Sequence, residues 1–257
     1  MSYMVGQCAI LINTCPKYKQ LAISQIILLR RYSEELKWPI FIASTGFLQE
    51  EIAYLESLNI TVIVQTEEDG SDFIKSRIHA LKLLPAACAH VLALQDDFLV
   101  DRPVDYVSLD KTLLVMLYCP DVVGCRLMPC PPPKGSFFKD AWQIIDPTPD
   151  CYFTFQATIW RRQWLIQFFE RMIELAPDLH AKWPDFTRNQ FWLLANPCER
   201  DTGMRVAQEL GGFQIGWPRV GPWANAVYKS PWPYRPTAIE KGVLQPWARE
   251  LLEREQL

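Results

Sequence analysis

Over the first half of the chain, short continuous apolar runs alternate with stretches whose apolar residues recur every three or four positions. The runs read as strands buried on both faces, and the spaced stretches as helices with one buried face. Cys8 to Thr14 is the first predicted strand, followed by a turn at Cys15-Pro16-Lys17. Leu21, Ile23, Ile26, Ile27, Leu29 and Leu36 then mark a helix. Ile40 to Ser44 is a second strand, broken by Thr45-Gly46, and Leu48, Ile52, Leu55 and Leu58 fall on one helical face. Ile60 to Val64 is a third strand. After the acidic loop Glu67 to Gly70, Ser71 or Asp72 caps a helix lined by Ile74, Ile78, Leu81 and Leu84. Three βα units in succession predict an α/β fold with a Rossmann-like, mostly parallel sheet.

The fourth strand carries the most informative stretch, His90 to Leu99, where an apolar run meets Gln95, Asp96 and Asp97 before apolar sequence resumes. Two adjacent acids at a strand end repel each other unless solvent, hydrogen bonds or a cation holds them. In α/β sheets that end is where ligands collect. A helix over Val104 to Tyr118 and a strand over Val122 to Met128 follow.

Beyond Met128 the pattern changes, for 15 of the 20 prolines and nine of the ten tryptophans lie there. Pro129 to Ser136 reads as an extended loop, Tyr152 to Trp160 as an aromatic-rich strand and Arg161 to Leu175 as an amphipathic helix. Thr187 caps a short predicted helix containing Phe191 and Trp192. Asn196 to Glu199 turns into a helix ended by Gly211-Gly212, Phe213 to Trp217 is a last strand, and Gln245 to Arg254 a terminal helix. Flat aromatic faces suit sugar rings, although tryptophan more often packs a core. Residues 1–257 are thus expected to form one domain, with a nucleotide-binding half (1–128) and an acceptor half (129–257).

Charged residues make up 21% of the chain and the net charge is -3, so no basic field draws in nucleic acid. No apolar stretch reaches membrane-spanning length, and the start of the chain lacks a signal-peptide pattern. The eight cysteines show no Cys-x-x-Cys pair, which fits reduced thiols and a cytoplasmic location. Neither Gly-x-Gly-x-x-Gly nor a P-loop occurs, so a phosphate ligand would need a metal.

Four places resemble the GT-A-fold glycosyltransferases, the nucleotide-sugar-dependent enzymes, in a family-2-like layout. Ile12 to Lys17 resembles the first-strand end that touches the nucleotide base, which implies contacts from Thr14 and Lys17. Gly70-Ser71 and Ser76-Arg77 resemble the helix before the metal motif, whose arginine lies near the nucleotide. Gln95-Asp96-Asp97 resembles the acidic metal site: Asp97 would bind Mn²⁺ or Mg²⁺, and Gln95 and Asp96 would face ribose or water, with Gln95 replacing the usual first acid. Phe155 to Trp160 with Asn196 to Glu199 resembles the acceptor side, and Glu199, or else Asp201 or Asp185, would be the base of an inverting transfer. The resemblance implies a nucleoside diphosphate sugar donor and a glycan or lipid-linked acceptor. A catalytically silent glycan-binding protein and a nucleotidyltransferase are the alternatives.

Overall fold

The computed structural model describes residues 8–66, 72–128, 133–139, 141–148, 150–182, 195–220, 227–228, 230–233, 235 and 237–257. The predicted Glu67 to Gly70 loop, the Gly70-Ser71 pair, part of Pro129 to Ser136, and Asp185, Thr187, Phe191 and Trp192 lie outside these residues. Strand β1 (Cys8–Asn13) is buried throughout, and its side chains alternate between two cores: Cys8, Ile10 and Ile12 face one, Ala9 and Leu11 the other. This two-sided burial is why the strand is a continuous apolar run.

The first core is closed by α1 (Lys19–Tyr32), α2 (Gln49–Ser57), α4 (Tyr106–Tyr118) and α8 (Pro246–Glu255). The second lies under α3 (Phe73–Leu83), α5 (Arg162–Glu174) and α7 (Asp201–Leu210). The helix α6 (Ala176–Lys182) follows α5. Asp72 caps α3 by accepting from the N–H groups of Ile74 at 2.8 Å and Lys75 at 2.9 Å.

Between the two cores lies one sheet built from β1, β2 (Ile40–Ser44), β3 (Ile60–Val64), β4 (His90–Gln95), β5 (Val122–Arg126), β6 (Phe137–Phe138), β7 (Trp142–Ile144), β8 (Thr158–Arg161) and β9 (Phe213–Gly216). Its order is β3-β2-β1-β4-β8-β5-β9-β7-β6. The first four pair in parallel, β8 is antiparallel to both β4 and β5, and β9 runs parallel to β5. Only β7 and β8 oppose the rest. This is the α/β, Rossmann-like, mostly parallel sheet with helices on both faces that the sequence predicts.

Two expectations change. The aromatic strand expected over Tyr152 to Trp160 is pleated only in β8; residues 151–156 are irregular because Phe153 turns into the second core. Phe153, Trp160, Trp164 and Phe168 stack there with ring centroids 4.2–5.4 Å apart, so these aromatic side chains are packing and not an exposed sugar platform. The strand over Phe213 to Trp217 is not the last, for Ile239–Glu240 and Val243–Leu244 form a further hairpin, β12–β13. A second small pair, β10 (Arg219–Val220) and β11 (Val227–Tyr228), precedes it.

Candidate active site

In the sheet order, the chain moves outward from β1 to β2 and β3 and then returns to place β4 on the other side of β1. Helices crossing on opposite sides of such a reversal leave a crevice at the carboxyl ends of the two central strands. Asn13, the last residue of β1, is level with Gln95, the last of β4. A cleft of about 550 Å³ opens there, lined by Asn13, Thr14, Arg77, Gln95, Asp96 and Asp97, among others.

The acid pair is held unevenly. The Thr14 hydroxyl donates to Asp96 Oδ2 at 2.7 Å. Asp97 is buried; its Oδ2 accepts from the Thr237 hydroxyl and, at 3.4 Å, from the Ile239 N–H. Its backbone oxygen accepts from the Ala238 N–H at 3.0 Å. Burial pushes Asp96 up to about 6, aided by the Asp97 charge and opposed by the Thr14 bond and the Arg77 charge. Burial also raises Asp97, against the Thr237 and Ile239 bonds. A buried and a half-buried carboxylate in one cleft therefore hold ionisation at a cost that a cation would offset.

Arg77 comes from α3. Its guanidinium lies 3.4 Å over the Phe73 ring and 5.5 Å from the Phe155 ring centroid, and Nη1 donates to the Phe73 carbonyl at 3.0 Å. Burial lowers it to about 9, while the Asp96 charge works to keep it protonated. Lys17 is exposed, with its ammonium 4.9 Å from the Tyr18 ring centroid.

Hence Thr14, Arg77, Gln95, Asp96 and Asp97 converge, and Lys17 stands close by. Glu199 does not line this cleft. Its Oε1 accepts from the Phe155 N–H at 3.0 Å and the Thr154 hydroxyl at 3.3 Å, and its carbonyl from the Cys151 N–H at 2.7 Å. Asp201 sits on the surface, paired with Arg205 at 3.1 Å. Sequence reasoning missed Thr237, Ile239 and Lys241, which line the cleft from some 140 residues downstream of Asp97. No local pattern marks them, apart from a Lys241-Gly242 turn signal. It also passed over Asn13, whose Oδ1 is buried with no hydrogen-bond partner among the described residues.

The donor set suits a hard cation. Among the described residues no three His, Cys, Asp or Glu side chains cluster, so an ion here would rest on Asp96 and Asp97 and complete its shell from a ligand. Mg²⁺ is commonly held that way, by one or two carboxylates and substrate phosphates.

No family model matches the sequence, and no curated protein matches it. Among solved structures the chain is similar to an active-site mutant of LgtC, at 16% identity over 75% of this chain and 70% of that one, with a TM-score of 0.48. It is also similar to S. aureus TarS 1-349 in complex with UDP-GlcNAc (13% identity, 62% and 46% covered, TM-score 0.42). A third is a cytidylyltransferase from Leptospira borgpetersenii serovar Hardjo-bovis (11%, 97% and 95%, TM-score 0.46). The chain spans about half the length of the TarS fragment, 48% and 46% in two of its structures. No helix among the described residues is long and apolar enough to cross a membrane.

Proposed function

We propose that the cleft binds a nucleoside diphosphate sugar with Mn²⁺ or Mg²⁺, and that the protein is a glycosyltransferase of the GT-A type. The observation that supports this best is the pairing of half-buried Asp96 and buried Asp97 with buried Arg77 across a cleft at the β1/β4 reversal. Such a site offers oxygen ligands to a cation and a cation to an anion, the combination a metal-bound diphosphate requires. The ion would be held by Asp97 and Asp96, and would supply charge neutralisation on the departing diphosphate. Thr14 fixes the Asp96 carboxylate. Arg77, clamped on Phe73, holds a fixed positive charge toward the phosphates, and Lys17 adds a second at the rim. Asn13 offers its unpaired carbonyl to the ribose or base.

The acceptor in this reading is a glycan or lipid-linked hydroxyl. Inversion with Glu199 taking the hydroxyl proton is a further part of the proposal. It calls on Oε2, because Oε1 is bonded to residues 154 and 155.

Thermal denaturation with nucleoside diphosphates, with and without Mn²⁺, tests the reading. A ligand at a hundred times its Kd stabilises by about 2.7 kcal/mol, or roughly 5–10 °C for a chain of this size. That shift should need Mn²⁺ and vanish in Asp97→Ala. A shift that persists undiminished in the variant would remove the metal role. Binding without release of sugar to any acceptor would favour the silent glycan-binding alternative.

A further inference from the structure

One wall of the cleft comes from the segment that follows residue 236. Thr237, Ala238 and Ile239 tie it to Asp97 by the three bonds described above, so its place is set by Asp97, through both its carboxylate and its backbone. The chain then doubles back through β12–β13, with Ile239 opposite Leu244 and Glu240 opposite Val243. The turn is Lys241-Gly242, with φ of 50° and 80°. Two central residues at positive φ define the tight turn whose first position favours asparagine or glycine over a residue such as lysine. Lysine therefore stands where the backbone alone would select another residue.

That lysine lines the same cleft as Arg77, Asp96 and Asp97. It is exposed and takes part in none of the ion pairs among the described residues. The Lys17 ammonium lies 3.8 Å from where a Cβ on Gly242 would sit, so a second cation rests against the same turn. Glycine at 242 supplies the positive φ of the turn. Positive groups gathered beside a cleft repel one another unless an anion joins them. With Asp96 and Asp97 ionised, the two carboxylates offset a divalent ion, so Arg77 alone leaves part of the diphosphate charge unmatched.

We infer that the Lys241-Gly242 hairpin tip is a phosphate-binding element of the cleft, with Lys241 contacting the diphosphate and Asp97 holding the hairpin in place. This rests on the proposed function for the identity of the ligand, though not for the anion site itself. Thr237 is a positioning residue in the same device, because it acts through Asp97.

The test is titration calorimetry with Mn²⁺ on the parent protein, Lys241→Ala, Lys241→Asn and Lys241→Arg. The probes are uridine and cytidine diphosphates, the matching nucleosides, and inorganic pyrophosphate. Lys241→Ala should bind a diphosphate about tenfold or more weakly, since a charge-assisted contact is lost. Nucleoside affinity should not change, and Lys241→Arg should keep most of the diphosphate affinity. Lys241→Asn suits the turn better than lysine but lacks the charge, so it should fail as alanine does. Parent-like diphosphate binding by Lys241→Asn would overturn the inference, because any loss in Lys241→Ala would then come from the hairpin backbone. Parent-like binding by Lys241→Ala would overturn it directly. Lys241-dependent pyrophosphate binding without any nucleoside diphosphate binding would uphold the anion site and remove the proposed donor. Binding of neither probe by the parent would remove both.

Discussion

Asp96 has a folded-state value of about 6 against an ordinary 3.8, so the folded protein holds its proton more tightly than the unfolded chain. Folding is therefore favoured least where both states are ionised. In metal-free buffer, stability should fall as pH rises from about 4 through about 6. Asp96→Asn should flatten that slope and raise the melting temperature at pH 7, as melting curves across this range would reveal. A slope unchanged in Asp96→Asn would place the titrating group elsewhere. Arg77 makes a separate prediction: Arg77→Ala should weaken nucleoside diphosphate binding about tenfold or more, as loss of a charge-assisted contact does. Equal affinity in calorimetry would make its ring stacking a purely structural contact.

Among the elements, Glu199 ties its own loop to the irregular stretch 151–156, and Arg161 holds the end of α4 to the sheet. Glu199 satisfies the Phe155 N–H, and Glu199→Ala would leave that donor unpaired and remove the acceptor of the Thr154 hydroxyl, costing about 1–3 kcal/mol. Glu199→Gln retains an acceptor oxygen and should unfold at nearly the parent denaturant midpoint. If Glu199 is also the base, the glutamine variant should lose about 10² to 10⁴ in turnover while keeping donor binding. Normal turnover in a stable Glu199→Gln would leave it as an anchor alone. Arg161 donates to the carbonyls of Met116, Cys119 and Val122, the first two at the end of α4. A cation there also suits the negative end of the helix. The parallel units up to β5 were legible in sequence because their strands are continuous apolar runs, most of them buried on both faces, and their helices bury one face; Ile40–Ser44 and the edge strand Ile60–Val64, with Thr61 and Val64 exposed, match to the residue. After Met128 the rules weaken. Phe153 and Phe155 read as strand by residue type, yet their place is set by stacking on Phe168 and Phe169, contacts that no local period encodes. The same holds for the site: Asp96 and Asp97 stand out at the end of an apolar strand and Arg77 through the family resemblance, while Thr237 and Lys241 reach the cleft only through tertiary folding.

At the scale of the whole molecule, the sheet is two blocks, β3-β2-β1-β4 and β5-β9 with the edge hairpin, and β8 is the strand bonded to both. The joint is tight, because Gly124 of β5 lies under Trp160: a Cβ there would come within 2.5 Å of the indole. Gly124→Ala should therefore cost about 1–3 kcal/mol through overpacking, readable as a lower denaturant midpoint with an unchanged slope. A midpoint equal to that of the parent would mean the indole can move aside. The position of β8 also sets a timetable. Synthesis delivers β1 through β4 long before Thr158–Arg161, so until then the outer edge of β4 presents unpaired backbone groups able to accept a foreign strand. The strand that leads into the acid pair is thus open to misassembly while the chain is being made.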